Sequence, residues 1–280
     1  MTSWRARRAA GRGLLYVGAA VLVFQAAFPL LWMASTALKP PVEVFAQPPY
    51  FIPRTPTWDN FWRLFTSTSF LIYFRNSMTV AGLAVLLTIV VGVAGAYSLT
   101  RYRYLGREQI AALILCTYMF APIMIVIPFF ILVKAVGIEN THLALVLAFT
   151  SFCLPFALWL LRAFFETIPP ELEEAALVDG AGRVRAVVHI IVPLALPGVI
   201  ATSIFTFILA WNDYIFTRIL ISADELKTLP VGVQDLFHSA LIDWGLIMAA
   251  GVLITIPALA FFMLVQRHLV AGWGSRGLKG

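Results

Sequence analysis

Residues 164–197 read FFETIPPELEEAALVDGAGRVRAVVHIIVPLALP. This polar stretch, acidic first and basic after, sits between apolar runs long enough to cross a bilayer, and its length suits two short helices and a turn. Pro169 and Pro170 stop a helix arriving from upstream and suit the start of a new one. Glu171, Glu173 and Glu174 then place negative charge on the first turn, where the helix dipole favours it. Leu172, Ala175 and Ala176 fall at i, i+3 and i+4, a small smooth face that another backbone can approach closely, and Gly180 after Asp179 supplies a stop. Beyond the Gly180-Ala181-Gly182 turn, Val184, Val187, Val188 and Ile191 mark a second apolar stripe closed by Pro193. Spacing alone leaves two readings open: a surface hairpin between two spans, or an element on which something docks.

The flanking chain settles the class. Of its residues 61% are hydrophobic and 12% charged, and the mean hydropathy is +0.89, which excludes a single soluble domain and indicates an all-α polytopic membrane protein. Six spans are expected within one domain covering residues 1–280, at about 14–34, 76–99, 110–133, 143–161, 198–221 and 246–265. The first run, behind Arg5, Arg7, Arg8 and Arg12, is too long for the apolar core of a secretory signal and is read as a retained span. Residues 35–75 are rich in proline and aromatics and read as an irregular outer loop, with Trp58, Phe61 and Trp62 at headgroup level. Gly82, Gly92 and Gly95 suit close helix packing in the second span. Pro122 and Pro128 break the third span and free backbone carbonyls at membrane depth that only protein or water can satisfy, and Pro155 interrupts the fourth.

Charge sets the expected orientation. Thirteen of the twenty Lys and Arg fall on the N-terminus, the 100–109 loop, the 162–196 loop and the tail, so these four segments are placed in the cytoplasm, together with both termini. The pI near 9.6 does not imply a nucleic-acid partner, because no basic stripe interleaved with aromatics stands on a polar background.

The residue types that carry chemistry are sparse. No Walker loop occurs, so the chain is not expected to bind ATP itself, and no zincin helix or Gly-x-Ser-x-Gly elbow suggests a hydrolase. The four histidines lack ligand spacing, so no metal is expected, and Cys116 and Cys153 each lie in an apolar run and read as buried structural thiols. Span five holds Trp211, Asn212, Asp213 and Tyr214. Counted from Gly198, Asp213 lies roughly 22 Å along a continuous helix, towards the outer side. Ionisable groups there avoid lipid, so this quartet either lines a solute pathway, its planar polar groups and aromatic faces suiting a sugar, or bonds neighbouring helices and backbone. Thr228 to Gly232 and Phe237 to Trp244 read as an outer segment able to meet a partner or simply to face solvent.

One resemblance decides between hairpin and docking element. Glu174-Ala175-Ala176, three residues, Gly180, nine residues, Ile190, one residue and Val192-Pro193 resembles the EAA loop of bacterial ABC-importer permeases, with Val192 where that pattern usually has Leu. Ile168 to Ala181, Thr36-Ala37-Leu38-Lys39-Pro40, and the tail Val270 to Trp273 with Gly277 to Gly280 are similar to the carbohydrate branch of that family, in particular the shorter permease of a maltose-type pair.

The resemblance implies a type I ABC importer fold and a non-enzymatic subunit in the bacterial inner membrane that moves a sugar or oligosaccharide by alternating access. It also implies partners: a second permease, two cytoplasmic ATPases that bind ATP and magnesium, and a periplasmic or lipid-anchored solute-binding protein, with no cofactor bound by this chain. Glu171, Leu172, Glu174, Ala175, Ala176, Asp179, Gly180, Ala181 and Pro193 are then the ATPase-coupling residues, Glu174 positioning the loop by polar contacts and the two alanines permitting close approach. The tail would also reach the ATPases. A glycerol-phosphate or other polar solute is the alternative cargo. An ion-coupled carrier is the alternative class, disfavoured because six spans hold no inverted second half.

Overall fold

In the computed structural model, which describes residues 2–237 and 242–274, every regular element among the described residues is helical. His238 and the tail segment Gly277 to Gly280, both read from the sequence as points of contact with a partner, lie outside the described residues. Four helical stretches among the described residues are long and apolar enough to cross a membrane: Leu15–Ala37, Phe70–Arg101, His142–Phe165 and Trp244–Met263. Two bent pairs, Arg107–Thr117 with Pro122–Val136 and Arg183–Leu194 with Leu196–Trp211, make six if each pair is one span.

The bends mark where hydropathy misleads. Residues 110–133, read as one kinked helix, are two helices meeting at 101°. Ala121 is extended, as a residue before proline prefers, and Pro122 opens the second helix where its missing N–H costs nothing. Pro128 and Pro155, by contrast, stay inside helices, so the fourth span, His142–Phe165, is not interrupted. Residues 198–221, read as another continuous span, form the helix Leu196–Trp211, a break at 212–214, and the short helix Ile215–Leu220. Cys116 is exposed rather than buried, whereas Cys153 is buried.

The described chain forms two compact units, residues 1–68 with 235–256, and residues 69–234 with 257–280. In the first, Asn60 is buried and its Nδ2 donates to the carbonyls of Ala37 and Lys39, each at 2.8 Å, fastening the helix Asp59–Ser67 to the end of the first long helix. Arg63 joins Asp59 at 3.1 Å and Asp243 at 2.8 Å. Trp58 and Trp62 are exposed.

The second unit centres on Phe70–Arg101, His142–Phe165 and Leu196–Trp211. Gly92 and Gly95 let the first two approach: a Cβ on Gly95 would lie 2.4 Å from Leu158 Cδ2, whereas one on Gly82 would meet nothing within 4 Å. The segment 220–229 is tied down by side chains from elsewhere. Asn140 Oδ1 accepts from the N–H groups of Ser222 and Ala223, both at 3.0 Å. Asn76 Nδ2 donates to the carbonyls of Glu225 and Lys227 at 2.7 and 3.0 Å. The next residues depart from the open loop expected of them: Leu229–Leu236 is a helix, with Leu229 and Val231 buried and Gly232 against the Tyr73 ring.

Candidate functional site

The polar stretch 164–197 folds as two helical limbs at one end of the second unit. Its acidic limb, Glu171–Val178, follows Pro169 and Pro170, whose carbonyls accept from the N–H groups of Leu172 and of Glu173 and Glu174. It ends in a paired cap: Gly180 adopts φ +85° and its N–H bonds the Leu177 carbonyl at 3.1 Å, while the Ala181 N–H reaches back to the Ala176 carbonyl at 2.9 Å. That left-handed turn is the conformation glycine adopts without a steric cost. Asp179, Gly180 and Ala181 therefore shape the turn through backbone geometry.

The basic limb, Arg183–Leu194, contains a π-turn over Val187–Ile191 just ahead of Pro193. Proline removes a donor from the ladder of hydrogen bonds, and a wider turn is one way to accommodate the loss. The expected stripe is consequently split: Ile191 is buried with Ala186, while Val184 and Val188 face outward. Ala96, Leu158, Leu161, Phe165, Ile168, Ile191 and Ala195 form an apolar cluster, to which the basic limb contributes Ile191.

The polar anchor is Glu173. Only 8% of it is exposed. The Tyr97 hydroxyl donates to its Oε1, and Arg101 Nε lies 3.1 Å from its Oε2. Arg101 Nη2 also donates to the Ile168 carbonyl at 2.9 Å, gripping the chain just ahead of the acidic limb. Removing one partner of a buried ion pair strands the other charge, at roughly 3–5 kcal/mol. The basic limb is held more loosely by Arg183, whose Nη1 donates to the Tyr102 hydroxyl at 2.6 Å with the guanidinium 5.3 Å from the ring. Nearby, Arg162 bridges Glu166 at 2.8 Å and Glu108 at 2.9 Å.

With Glu173 turned inward, the rest of the acidic helix points out. Glu171, Leu172, Glu174, Ala175, Leu177 and Asp179 are exposed, Val178 is 87% exposed, and Ala176 and Ala181 are half-buried. Pro193 is exposed on the other limb. Glu173, Tyr97 and Arg101 were absent from the sequence-derived set. Each lay in plain view, but Tyr97 and Glu173 stand 76 positions apart, and no local spacing links them.

The quartet at the end of Leu196–Trp211 is assembled differently. Trp211 is 1% exposed, stacked on Phe207 with centroids 5.5 Å apart and meeting Phe74 edge-on at 5.7 Å. Asn212 is exposed, and its Nδ2 donates to the Ile208 carbonyl at 2.8 Å. The Asp213 carboxylate accepts from the Phe216 N–H at 3.3 Å and from the Thr217 N–H at 3.0 Å, so it caps the short helix Ile215–Leu220. Tyr214 is exposed. The break at 212–214 also removes the continuous helix along which the depth of Asp213 was counted.

Residues 88–274 match a family model described as "Binding-protein-dependent transport system inner membrane component". The chain is 35% identical to the inner membrane ABC transporter permease protein YcjP of Escherichia coli (strain K12), over 98% of its own length and 99% of the relative's. It is 33% identical to the trehalose/maltose transport system permease protein MalG of Thermococcus litoralis, covering 96% of this chain and 97% of that one. The sulfoquinovosyl glycerol transport system permease protein SmoH of Agrobacterium fabrum is likewise 33% identical, with 96% and 95% covered. In fold the chain is similar to a subunit in the crystal structure of a bacterial ABC transporter involved in the import of the acidic polysaccharide alginate, with a TM-score of 0.82 at 24% identity, over 94% of this chain and 97% of that one.

Proposed function

This chain belongs to the family of binding-protein-dependent transport system inner membrane components, and on that premise we propose that it carries a sugar or oligosaccharide through the inner membrane as one of two unlike permeases worked by a pair of cytoplasmic ATPases. It is a multi-pass membrane subunit of the ABC importer class. The ATPases hold ATP and magnesium, and a solute-binding protein on the opposite side delivers the cargo. The sugar class is supported by relatives whose names include trehalose, maltose and diacetylchitobiose transport.

The observation that carries the coupling role is the orientation of the helix Glu171–Val178. One acidic side chain, Glu173, fastens it inward, and Glu171, Leu172, Glu174, Ala175, Leu177 and Val178 are left outward. An outward face of small and apolar residues with two carboxylates, fastened from behind through Glu173, suits a protein cleft. Seated in the ATPase, it transmits closure of the ATPase dimer to the bundle, so that ATP favours one of two packings of the same helices. Gly180 and Ala181 keep the turn, and Pro193 lies where the basic limb enters the bundle. With the ATPases in the cytoplasm, the loop, both termini and the tail lie on the cytoplasmic side.

For the solute pathway, Trp211 and Asp213 build the frame, and Asn212 and Tyr214 are the exposed pair left to meet a sugar. Reconstitution of the whole complex in vesicles tests the proposal. Uptake of a labelled oligosaccharide that needs both ATP and the solute-binding protein is expected; uptake driven by an ion gradient without ATP would overturn it.

A further inference from the structure

The contact of Arg101 with Glu173 is incomplete in an informative way. The guanidinium spends its aligned Nη2 bond on the Ile168 carbonyl, while Nε, buried and 3.1 Å from Glu173 Oε2, is not aligned to make a hydrogen bond. A buried N–H beside an acceptor but misdirected is costlier than one that is aligned. Glu173 spends its other oxygen on the Tyr97 hydroxyl. Tyr97 and Arg101 sit one helical turn apart on Phe70–Arg101, so the carboxylate is straddled by two donors on one face of a long helix. The 3.1 Å separation of Arg101 Nε from Glu173 Oε2 is already within hydrogen-bonding range, so completing the bond needs a change of angle and not of distance. The polar link of the basic limb, Arg183 to Tyr102, is exposed and rests partly on a ring face, so it constrains the geometry less than the Glu173 contact does.

We infer that Tyr97, Arg101 and Glu173 form a two-setting joint between the acidic helix and the long helix Phe70–Arg101, and that this joint fixes how much solute moves per ATP hydrolysed. The inference rests on the reading of Glu171–Val178 as the element seated in the ATPase. These three are positioning residues: they touch neither solute nor nucleotide. Removing the joint leaves the acidic helix seated but lets it turn without taking the long helix along.

The test uses the complete complex in proteoliposomes, with Glu173→Gln and Tyr97→Phe measured for ATPase retention on purification, ATP hydrolysis and uptake of a labelled oligosaccharide. Both variants are expected to keep the ATPase and to hydrolyse ATP with weakened dependence on the solute-binding protein, the ATP used per solute rising about fivefold or more in Glu173→Gln.

An unchanged ratio in both single variants would overturn the inference. So would loss of the ATPase from them, which would make these residues merely structural. An ATPase that never associates with the unaltered chain would instead sink the proposed function.

Discussion

Gly198 lies beneath the ring of Phe164, so close that a Cβ added to it would come within 2.5 Å of ring Cδ2 and 2.7 Å of Cγ. The contact joins the last turn of His142–Phe165 to the first of Leu196–Trp211, the two helices between which the polar stretch is strung. Gly198→Ala forces an aromatic ring to move in a packed interior, costing about 1–3 kcal/mol. The gain from replacing a helical glycine is at most about 1 kcal/mol. A lowered melting temperature of the purified complex is expected, while Gly82→Ala, with open space around it, should not lower it.

Gly180 tests the turn. Its φ of +85° puts a side chain under strain although nothing lies within 4 Å of where a Cβ would stand. Gly180→Asp costs about 1 kcal/mol locally and adds a charge at the outward end of the acidic helix. The subunit should insert and assemble normally while uptake falls and ATP hydrolysis loses its response to solute. Normal uptake with normal solute-stimulated hydrolysis would count against the coupling role.

Asp213 separates framework from solute contact. Asp213→Asn keeps one of the two oxygens that accept from the Phe216 and Thr217 N–H groups, whereas Asp213→Ala loses both, at about 1–2 kcal/mol of local stability. Uptake close to the original in the first variant and impaired in the second is the expected pattern. Equal abolition of uptake in both, with the complex intact, would assign Asp213 to the solute.

Asn140 holds the segment after the short helix Ile215–Leu220 by two hydrogen bonds and sits at φ +55°, a conformation that asparagine tolerates better than alanine. Asn140→Ala should weaken that segment by roughly 1–3 kcal/mol, counting the lost bonds and the strained backbone. Faster hydrogen exchange confined to residues 222–229 is the readout, with Asn140→Asp much less affected.

What could be read from the sequence obeyed rules of short range. Pro169, Pro170 and Gly180 announce the ends of the acidic helix, because capping and the left-handed turn depend on neighbours a few residues away. Gly92 and Gly95 mark a close helix approach, although the third glycine of that series, Gly82, faces open space.

The inward side of the acidic helix was not legible. Leu172, Ala175 and Ala176 carry the apolar spacing, yet Glu173 is the residue turned inward, because Tyr97 and Arg101 wait there and satisfy its charge. Hydropathy also passes smoothly over residues 118–121 and 212–214, where the chain breaks. Pro122 was a visible signal for the first break, whereas the second depends on Asp213 capping the next helix, a contact that the apolar average conceals.

The most direct measurement of the central claim is a cross-link from the outward face of the acidic helix. A cysteine at Ala175→Cys, in an otherwise active complex, should join the cytoplasmic ATPase through a short thiol-reactive linker, with a yield that changes when ATP is added. Absence of that product, while Ala175→Cys reacts freely with a soluble thiol reagent in the same complex, would contradict the seating of this helix in the ATPase.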